Sequence, residues 1–477
     1  MPPVWRTWNG KRTPSWRPSA RAWRQTPMRN HGVPRSTGWC ACTSAYPTSG
    51  SDPGGEDMHR GERLTLTIER PAAGGRMIAR HDGAIVFVAG AIPGEVVEAE
   101  VEKVQRGTGW AITRAVLERS PDRVPDLADG TSPSDGGCGG NVFAHIAYDR
   151  QRGIKAAIID DAFRRLGRIT LESPVEVVAS PIDGYRMRAR LHVRNGRIGF
   201  FREGTHSLCD AGPTRQLRPD TLAVLQALEQ SLKSLGRDTI GAIELSENLA
   251  ATERALHLEL LPNGDPSRLA AVTTLAGLTG ATCAPPDTTR TIELWGSAVV
   301  SDVVSGAKLS RHARSFFQGN RFLLQPLVDH VLSHVTAGPV LDLYAGVGLF
   351  SLAASHAGHG PVVAVEGERF SATDLRRNAS ARQDVRVRSE AVEDYLPHAT
   401  KASTIIMDPP RTGLSKDALA GAIAVQAPHL IYVSCDLATL ARDARWLLDA
   451  GYRLASVRAF DLFPNTAHVE TVIAFAR

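Results

Sequence analysis

The chain has 477 residues, 43% of them hydrophobic, and a formal charge of +5, which implies two to four domains with ordinary cores. No apolar run approaches the roughly 20 residues of a membrane helix, and no signal-peptide pattern opens the chain, so membrane-spanning and secreted classes are excluded. Six scattered cysteines, Cys40, Cys42, Cys138, Cys209, Cys283 and Cys435, argue against a disulfide framework and for a reducing cytoplasm.

Residues 1–57 hold Trp5, Trp8, Trp16, Trp23 and Trp39 among arginines, prolines and glycines, with no helical or strand period. That composition cannot offset its ordering entropy, so a disordered extension is expected. Between 58 and 122, four apolar or alternating runs read as strands: 64–69, 84–88, 95–101 and 110–116. Short strands at this spacing predict a small β-barrel. A Pro/Asp/Ser/Gly-rich stretch (121–140) follows, then a helix over 148–166. Residues 185–193 alternate basic with apolar, turn at Asn195-Gly196 and return through 198–201, a strong hairpin signal. Arg186, Arg188 and Arg190 share one face of it, and residue types alone fit phosphate contacts or a solvated strand equally well. Residues 123–300 are therefore expected to form a central α+β domain.

From Val340 strands alternate with helices, the signature of an open, mostly parallel sheet with helices on both faces. The expected class is α/β, with a Rossmann-like sheet in 301–477. Its first strand, 340–344, runs into a glycine loop at Ala345-Gly346-Val347-Gly348. Glu366 closes the next strand, where a carboxylate can accept hydrogen bonds from two ribose hydroxyls. The loop lacks the third glycine that brings a helix close to a pyrophosphate. A ligand with ribose and no phosphate, such as S-adenosylmethionine, fits better, and Asp342 would hold loop amides or the methionine amine. Asp408-Pro409-Pro410 stiffens the end of a later strand. Arg411 stands where amino-methyltransferases carry an aromatic, which argues against adenine-N6 chemistry. Cys435 ends the next strand at the start of a helix, whose N-terminus favours thiolate. Glu470 lies just ahead of the final strand.

Together Ser315-Phe316-Phe317-Gln318-Gly319-Asn320, Leu341 to Gly348, Asp408-Pro409-Pro410-Arg411, Ser434-Cys435-Asp436 and His468-Val469-Glu470 resemble the RNA (uracil-5-)-methyltransferase family. The stretch 58–122 resembles the TRAM domain, an RNA-binding barrel. The resemblance implies that Gln318, Tyr344, Glu366 and Asp408 contact S-adenosylmethionine, that Cys435 is the nucleophile and that Glu470 is the base. It implies a cytoplasmic, monomeric enzyme acting on uridine C5 in RNA, with 23S rRNA favoured over tRNA because members confined to tRNA often lack the barrel. The alternatives are a non-catalytic RNA-binding or folding factor on the same scaffold, or methylation of another base. Many members bind an iron–sulfur cluster through four cysteines. Here Cys138 alone keeps a matching place, Ser132 and Asn141 occupy neighbouring positions, and Thr214 rather than Cys209 falls on the fourth. No cluster or other metal is expected.

Overall fold

A computed structural model describes residues 58–125, 137–233, 239–262, 264–269, 275–286, 288 and 290–477. The N-terminal extension and Ser132 lie outside the described residues.

The first six strands are β1 (Arg63–Thr67), β2 (Arg70–Pro71), β3 (Met77–His81), β4 (Ala84–Ala89), β5 (Val96–Gln105) and β6 (Thr108–Glu118). They form one sheet in the order β1-β5-β6-β4-β3-β2. Alternation buries Leu64 and Leu66 of β1 and Val97, Ala99 and Val101 of β5 on the inner face. The β5–β6 pairing slips at three points, and such bulges bend long strands around a core. β2 and β3 carried no strand signal long or apolar enough to read from sequence. Where the chain leaves this sheet, Arg123 forks onto fully buried Glu95, donating to both of its oxygens at 2.7 Å.

Helix α1 (Tyr148–Ala162) follows, continuing through one wide turn at Phe163–Gly167. The central sheet comprises β8 (Arg188–Arg194), β9 (Arg197–Phe201), β10 (Leu208–Cys209), β11 (Ile240–Glu247), β12 (Arg254–Leu260), β13 (Gly280–Ala284) and β14 (Ile292–Gly296). Its order is β10-β9-β8-β11-β12-β13-β14. The expected hairpin is β8–β9, with Asn195 and Gly196 both left-handed at its turn. Helix α2 (Pro219–Lys233) packs Val224, Leu225, Leu228 and Leu232 into one core with Leu191, Leu245, Leu256 and Leu258 of the sheet. Cys138 and Cys209 form a disulfide, with Cα atoms 5.7 Å apart. That corrects the expectation drawn from scattered cysteines. Residues 71 apart were brought together when the loop at 138–140 laid itself against β9, where Gly139 N–H donates to the Phe201 carbonyl.

A hairpin, β15 (Val299–Val304) and β16 (Ala307–His312), and α3 (Leu324–Ser333) lead into the last sheet. It is built from β17 (Val340–Leu343), β18 (Val362–Val365), β19 (Val385–Arg388), β20 (Thr404–Met407), β21 (His429–Ser434), β22 (Arg453–Phe460) and β23 (Glu470–Ala476). Helices α4 (Leu349–His356), α5 (Arg369–Ala379), α6 (Val392–Tyr395), α7 (Lys416–Val425) and α8 (Leu437–Asp449) cover it. The order is β19-β18-β17-β20-β21-β23-β22-β7, where β7 is a two-residue strand at Val177–Val178. The pairs from β19 to β21 are parallel, as alternation with helices predicts, and β23 inserts antiparallel between β21 and β22.

Helix α1 also holds the segment 461–469 that leads into β23. Lys155 and Asp461 are both fully buried, and Lys155 Nζ donates to Asp461 Oδ1 at 2.5 Å and to the Phe463 carbonyl at 3.2 Å. Gln151 donates to Asn465 Oδ1 and accepts from Asn465 N–H, both at 2.9 Å. Removing one partner of a buried pair strands the other charge. Lys155→Met should therefore cost about 3–5 kcal/mol in urea unfolding. The double variant Lys155→Met/Asp461→Leu should recover most of that loss; equal loss in both would show that packing, not charge pairing, dominates there.

Candidate active site

The parallel strands deliver their carboxyl ends to one edge, and the six residues singled out from sequence converge on that edge or the loops beside it. β17 ends at Leu343, and Tyr344 turns with φ +61° into the glycine loop, where Gly346 and Gly348 are also left-handed. A side chain at Gly348 would meet Leu375 Cδ1 at 2.8 Å, so only glycine lets the loop lie this close to α5. Glu366, at the end of β18, accepts the Gly346 amide at 2.8 Å and the Glu368 amide at 2.6 Å. The carboxylate thus holds the glycine loop, a role the sequence reading had offered to Asp342. Its remaining lone pairs are those available to ribose hydroxyls.

Asp342 lies in the middle of β17, fully buried. Ser351 of α4 donates its hydroxyl to one oxygen, and the other, Oδ1, has no partner. Gln318 Nε2 donates to Asp408 Oδ2 at 3.3 Å, so the Ser315–Asn320 segment reaches the end of β20. Burial pushes the Asp342 carboxyl up to about 7, with Glu366 adding to it. Burial, then the neighbouring charges of Asp342 and Glu366, push Asp408 upward as well. Three carboxyl groups, Asp342, Glu366 and Asp408, lie close enough at the strand ends to raise one another, and one buried oxygen has no donor. Such a site is built for cations. S-adenosylmethionine carries two, a sulfonium and an ammonium, and the residues present fit it. The phenol of Tyr344 is hydrogen-bonded to Glu393, and burial raises its pKa.

Cys435 follows β21 directly and is partly exposed. Helix α8 begins two residues later with Asp436 as its cap, accepting the Thr439 amide at 2.9 Å. The thiol thus sits outside the helix terminus. Burial pushes it up to about 12, and the charges of Glu470 and Asp408 push the same way. The expected lowering by the helix N-terminus is outweighed. Arg411 acts against the rise through its charge and a hydrogen bond to the thiol. Glu470, the first residue of β23, is buried, and its carboxyl is raised by burial and by Asp408 while Arg411 lowers it. Arg411 therefore serves both groups. The sequence reading noted it only as the residue standing where an aromatic would be. His468 lies near as well and is pushed down to about 4, by burial first and then by Arg411, Lys155 and Arg186.

The basic row of β8 is partly consumed internally. Arg190 bonds Glu259 and Glu244, and Arg188 pairs with Glu244 at 3.3 Å and lies over Phe316. Arg186 bonds Gln216 at 2.6 Å and stacks over Phe200 and Phe463. Arg188 and Arg190 thus tie β8 to β11 and β12, while Arg186, ahead of the strand, is tied to Gln216. Where relatives would place a four-thiolate cluster, the residues do not fit: Cys138 and Cys209 are bonded to each other, and Asn141 and Thr214 beside them offer no thiolate. Among the described residues no group of three or more metal-ligating side chains occurs.

Comparison with known proteins agrees with this construction. Residues 58–112 match the TRAM domain, and residues 361–477 match the tRNA (Uracil-5-)-methyltransferase family. The 23S rRNA (uracil(1939)-C(5))-methyltransferase of Photorhabdus laumondii is 31% identical over 438 residues, covering 87% of this chain and 96% of that one. An uncharacterised RNA methyltransferase of Halalkalibacterium halodurans is 29% identical, covering 87% of this chain and 97% of its own. In fold, the Pyrococcus abyssi tRNA (uracil-54, C5)-methyltransferase, solved with S-adenosyl-L-homocysteine, superposes with a TM-score of 0.68 at 23% identity, covering 86% of this chain and 99% of that one. Motif order, sheet topology and full-length similarity converge: the chain belongs to the RNA (uracil-5-)-methyltransferase family.

Proposed function

We propose that this chain methylates C5 of a uridine in RNA, with 23S rRNA ahead of tRNA as its substrate, through a covalent bond between Cys435 and uracil C6. The observation that carries this reading is the meeting of Cys435, Arg411 and Glu470 beside the carboxyl cluster at the carboxyl ends of the strands. The relatives named for 23S rRNA and the TRAM match support the choice of RNA. In this reading the barrel (58–122) and central domain (123–300) hold RNA, and 301–477 carries the chemistry. The enzyme works as a cytoplasmic monomer. No helix among the described residues is long and apolar enough to cross a membrane.

Uracil C5 is a poor nucleophile. Addition of the Cys435 thiolate to C6 sends the ring electrons through C5 toward O4 and makes C5 nucleophilic. S-adenosylmethionine, when bound, supplies the electrophilic methyl group. Gln318, Tyr344, Glu366 and Asp408 hold and orient it. Arg411 favours the thiolate, and its charge also opposes the build-up of negative charge around Cys435, Glu470 and Asp408. Glu470, in its ionised form, takes the C5 proton, and burial makes that carboxylate more basic than an exposed one. The electron pair then restores the C5–C6 double bond as the bond to Cys435 breaks. The base must leave its stack to reach this edge, which loop RNA permits most easily.

RNA carrying 5-fluorouridine should give a covalent adduct with the wild type and none with Cys435→Ala, seen as a shifted band under denaturing conditions. Binding without any adduct in the presence of cofactor would defeat the catalytic reading. Glu470→Gln should accumulate methylated, enzyme-linked RNA; normal turnover by that variant removes Glu470 from the mechanism.

Because the thiol is raised to about 12, its ionised fraction grows throughout the working range. Adduct formation should speed up roughly tenfold per pH unit between pH 6.5 and 8.5. Arg411→Ala should slow it about 10- to 100-fold, the worth of a hydrogen bond to a charged group, with the same pH slope. A flat profile would mean that the thiolate forms by another route.

The acid cluster predicts a second pH effect. The Asp342 carboxyl titrates near 7 in the folded protein, well above its unfolded value, so ionising it destabilises the cofactor-free fold as pH rises from about 4 to about 7. Cations of the cofactor offset that cost. S-adenosylhomocysteine should therefore bind more weakly below pH 7, with proton release on binding near neutrality, measurable by calorimetry in buffers of different ionisation enthalpy. Asp342→Asn should reduce the proton release, leaving the part that comes from Asp408 and Glu366.

A further inference from the structure

We infer that the open face of the central sheet is a stacking platform for single-stranded RNA flanking the target uridine, built from His192 and Phe201 and flanked by Arg194. This rests on the RNA reading above and extends it to a surface outside the chemistry.

The platform follows from strand alternation. β8 sends Ala189, Leu191 and Val193 into the core beneath α2 and turns Arg188, Arg190, His192 and Arg194 the other way. On β9 the outward residue is Phe201. The His192 ring lies flat on it, with centroids 3.5 Å apart and planes 8° apart. His206 meets the same phenyl edge-on at 5.3 Å, and the Arg194 guanidinium sits 5.6 Å from its centre. Burial, Arg190 and Arg194 push His192 down to about 4, so its ring is neutral at pH 7. Two neutral rings in contact, one half-buried imidazole and one phenyl, are an unusual thing to leave on a sheet face beside arginines.

Charge selects the occupant. The acids nearest the rings, Glu244 and Glu259, are engaged by Arg190 and Arg188, and the other acid on this face, exposed Glu293, lies out on β14. Arg194 touches only carbonyls, those of Val193 at 2.9 Å and Gly241 at 3.5 Å, and Arg197 at the hairpin turn is exposed. Rings beside unneutralised cations suit nucleobases joined by phosphates. A duplex keeps its base faces covered, whereas an unpaired strand presents them. Position links the platform to the site. The outward row runs from Arg188 to Arg194, about 20 Å at the rise of an extended strand. At its near end Arg188 donates to the Ser315 carbonyl and covers Phe316, two residues from Gln318.

The test uses the full-length protein, a fluorescein-labelled 12-nucleotide oligouridylate and an abasic strand of the same length and charge, titrated by anisotropy at fixed salt. Wild type should bind the base-bearing strand about tenfold more tightly than the abasic one. Phe201→Ala and His192→Ala should abolish that difference and leave abasic binding unchanged, while Arg194→Ala should weaken both. His192→Ala changes a half-exposed ring, so it stands as the test if Phe201→Ala misfolds. Equal binding of the two strands by wild type, or an undiminished preference in His192→Ala, overturns the platform. The 5-fluorouridine adduct on Cys435, measured at saturating RNA in the same preparations, reports the chemistry separately. Adduct without base preference refutes the platform alone, and base preference without adduct refutes the catalytic reading alone.

Discussion

The buried contact of Lys155 with Asp461 sets the geometry on which the site depends. Glu470 lies beside Cys435, yet it enters its strand from a nine-residue passage that begins at Asp461 and includes irregular backbone. Such a passage wanders unless its polar groups are satisfied. Helix α1 satisfies them from outside the sheet, through Lys155 at one end and Gln151 at Asn465 further along. A fully buried ammonium is costly unless it is paired at close range, so the partner and its position are tightly specified. The helix that supplies this grip belongs by sequence to the middle of the chain, and by packing to the last sheet. Its Ile154, Ile158 and Ile159 join the core that contains Leu440 and Leu447 of α8.

Around that grip the site is divided between two electrostatic regimes. Asp342, Glu366 and Asp408 gather carboxyl groups where the sulfonium and ammonium of the cofactor would lie. Arg411 brings a positive charge to Cys435 and Glu470, whose chemistry runs through anions. Asp408 connects the regimes, raising both Cys435 and Glu470. A thiol held at about 12 in this setting is a guarded nucleophile. It stays largely protonated near neutrality.

Much of this was legible in the amino-acid order, and the reasons are physical. Buried parallel strands read as short apolar runs closed by Asp, Gly or Pro, so β17, β18 and β20 could be placed almost to the residue. The positions of Cys435 and Glu470 were legible because one follows a parallel strand and the other opens the antiparallel strand beside it, at the same edge of the sheet. What escaped was tertiary. Lys155 and Asp461 lie 306 positions apart, and neither is unusual in its own surroundings. Cys138 and Cys209 looked scattered because spacing says nothing about a loop folding back on β9. The thiol's pKa was misjudged for a related reason. Proximity to a helix start is a local property, while burial and two nearby carboxyl groups are assembled from β20, β21 and β23 at once. Arg188 and Arg190 looked like free cations until β11 and β12 brought Glu244 and Glu259 alongside.

The two-residue strand at Val177–Val178 adds a matter of timing. It pairs with Ala459 and Phe460 at the open edge of β22, and Glu176 beside it bonds Arg458, 282 positions later. During synthesis this strand leaves the ribosome long before its partner exists. α1 likewise waits for α8 and for Asp461. The barrel and central sheet can be complete while most of the last domain is unmade, but the sheet that aligns Cys435 with Glu470 closes only when nearly the whole chain is out. A nascent or truncated copy could therefore hold RNA without being able to alter it, so catalytic competence arrives last.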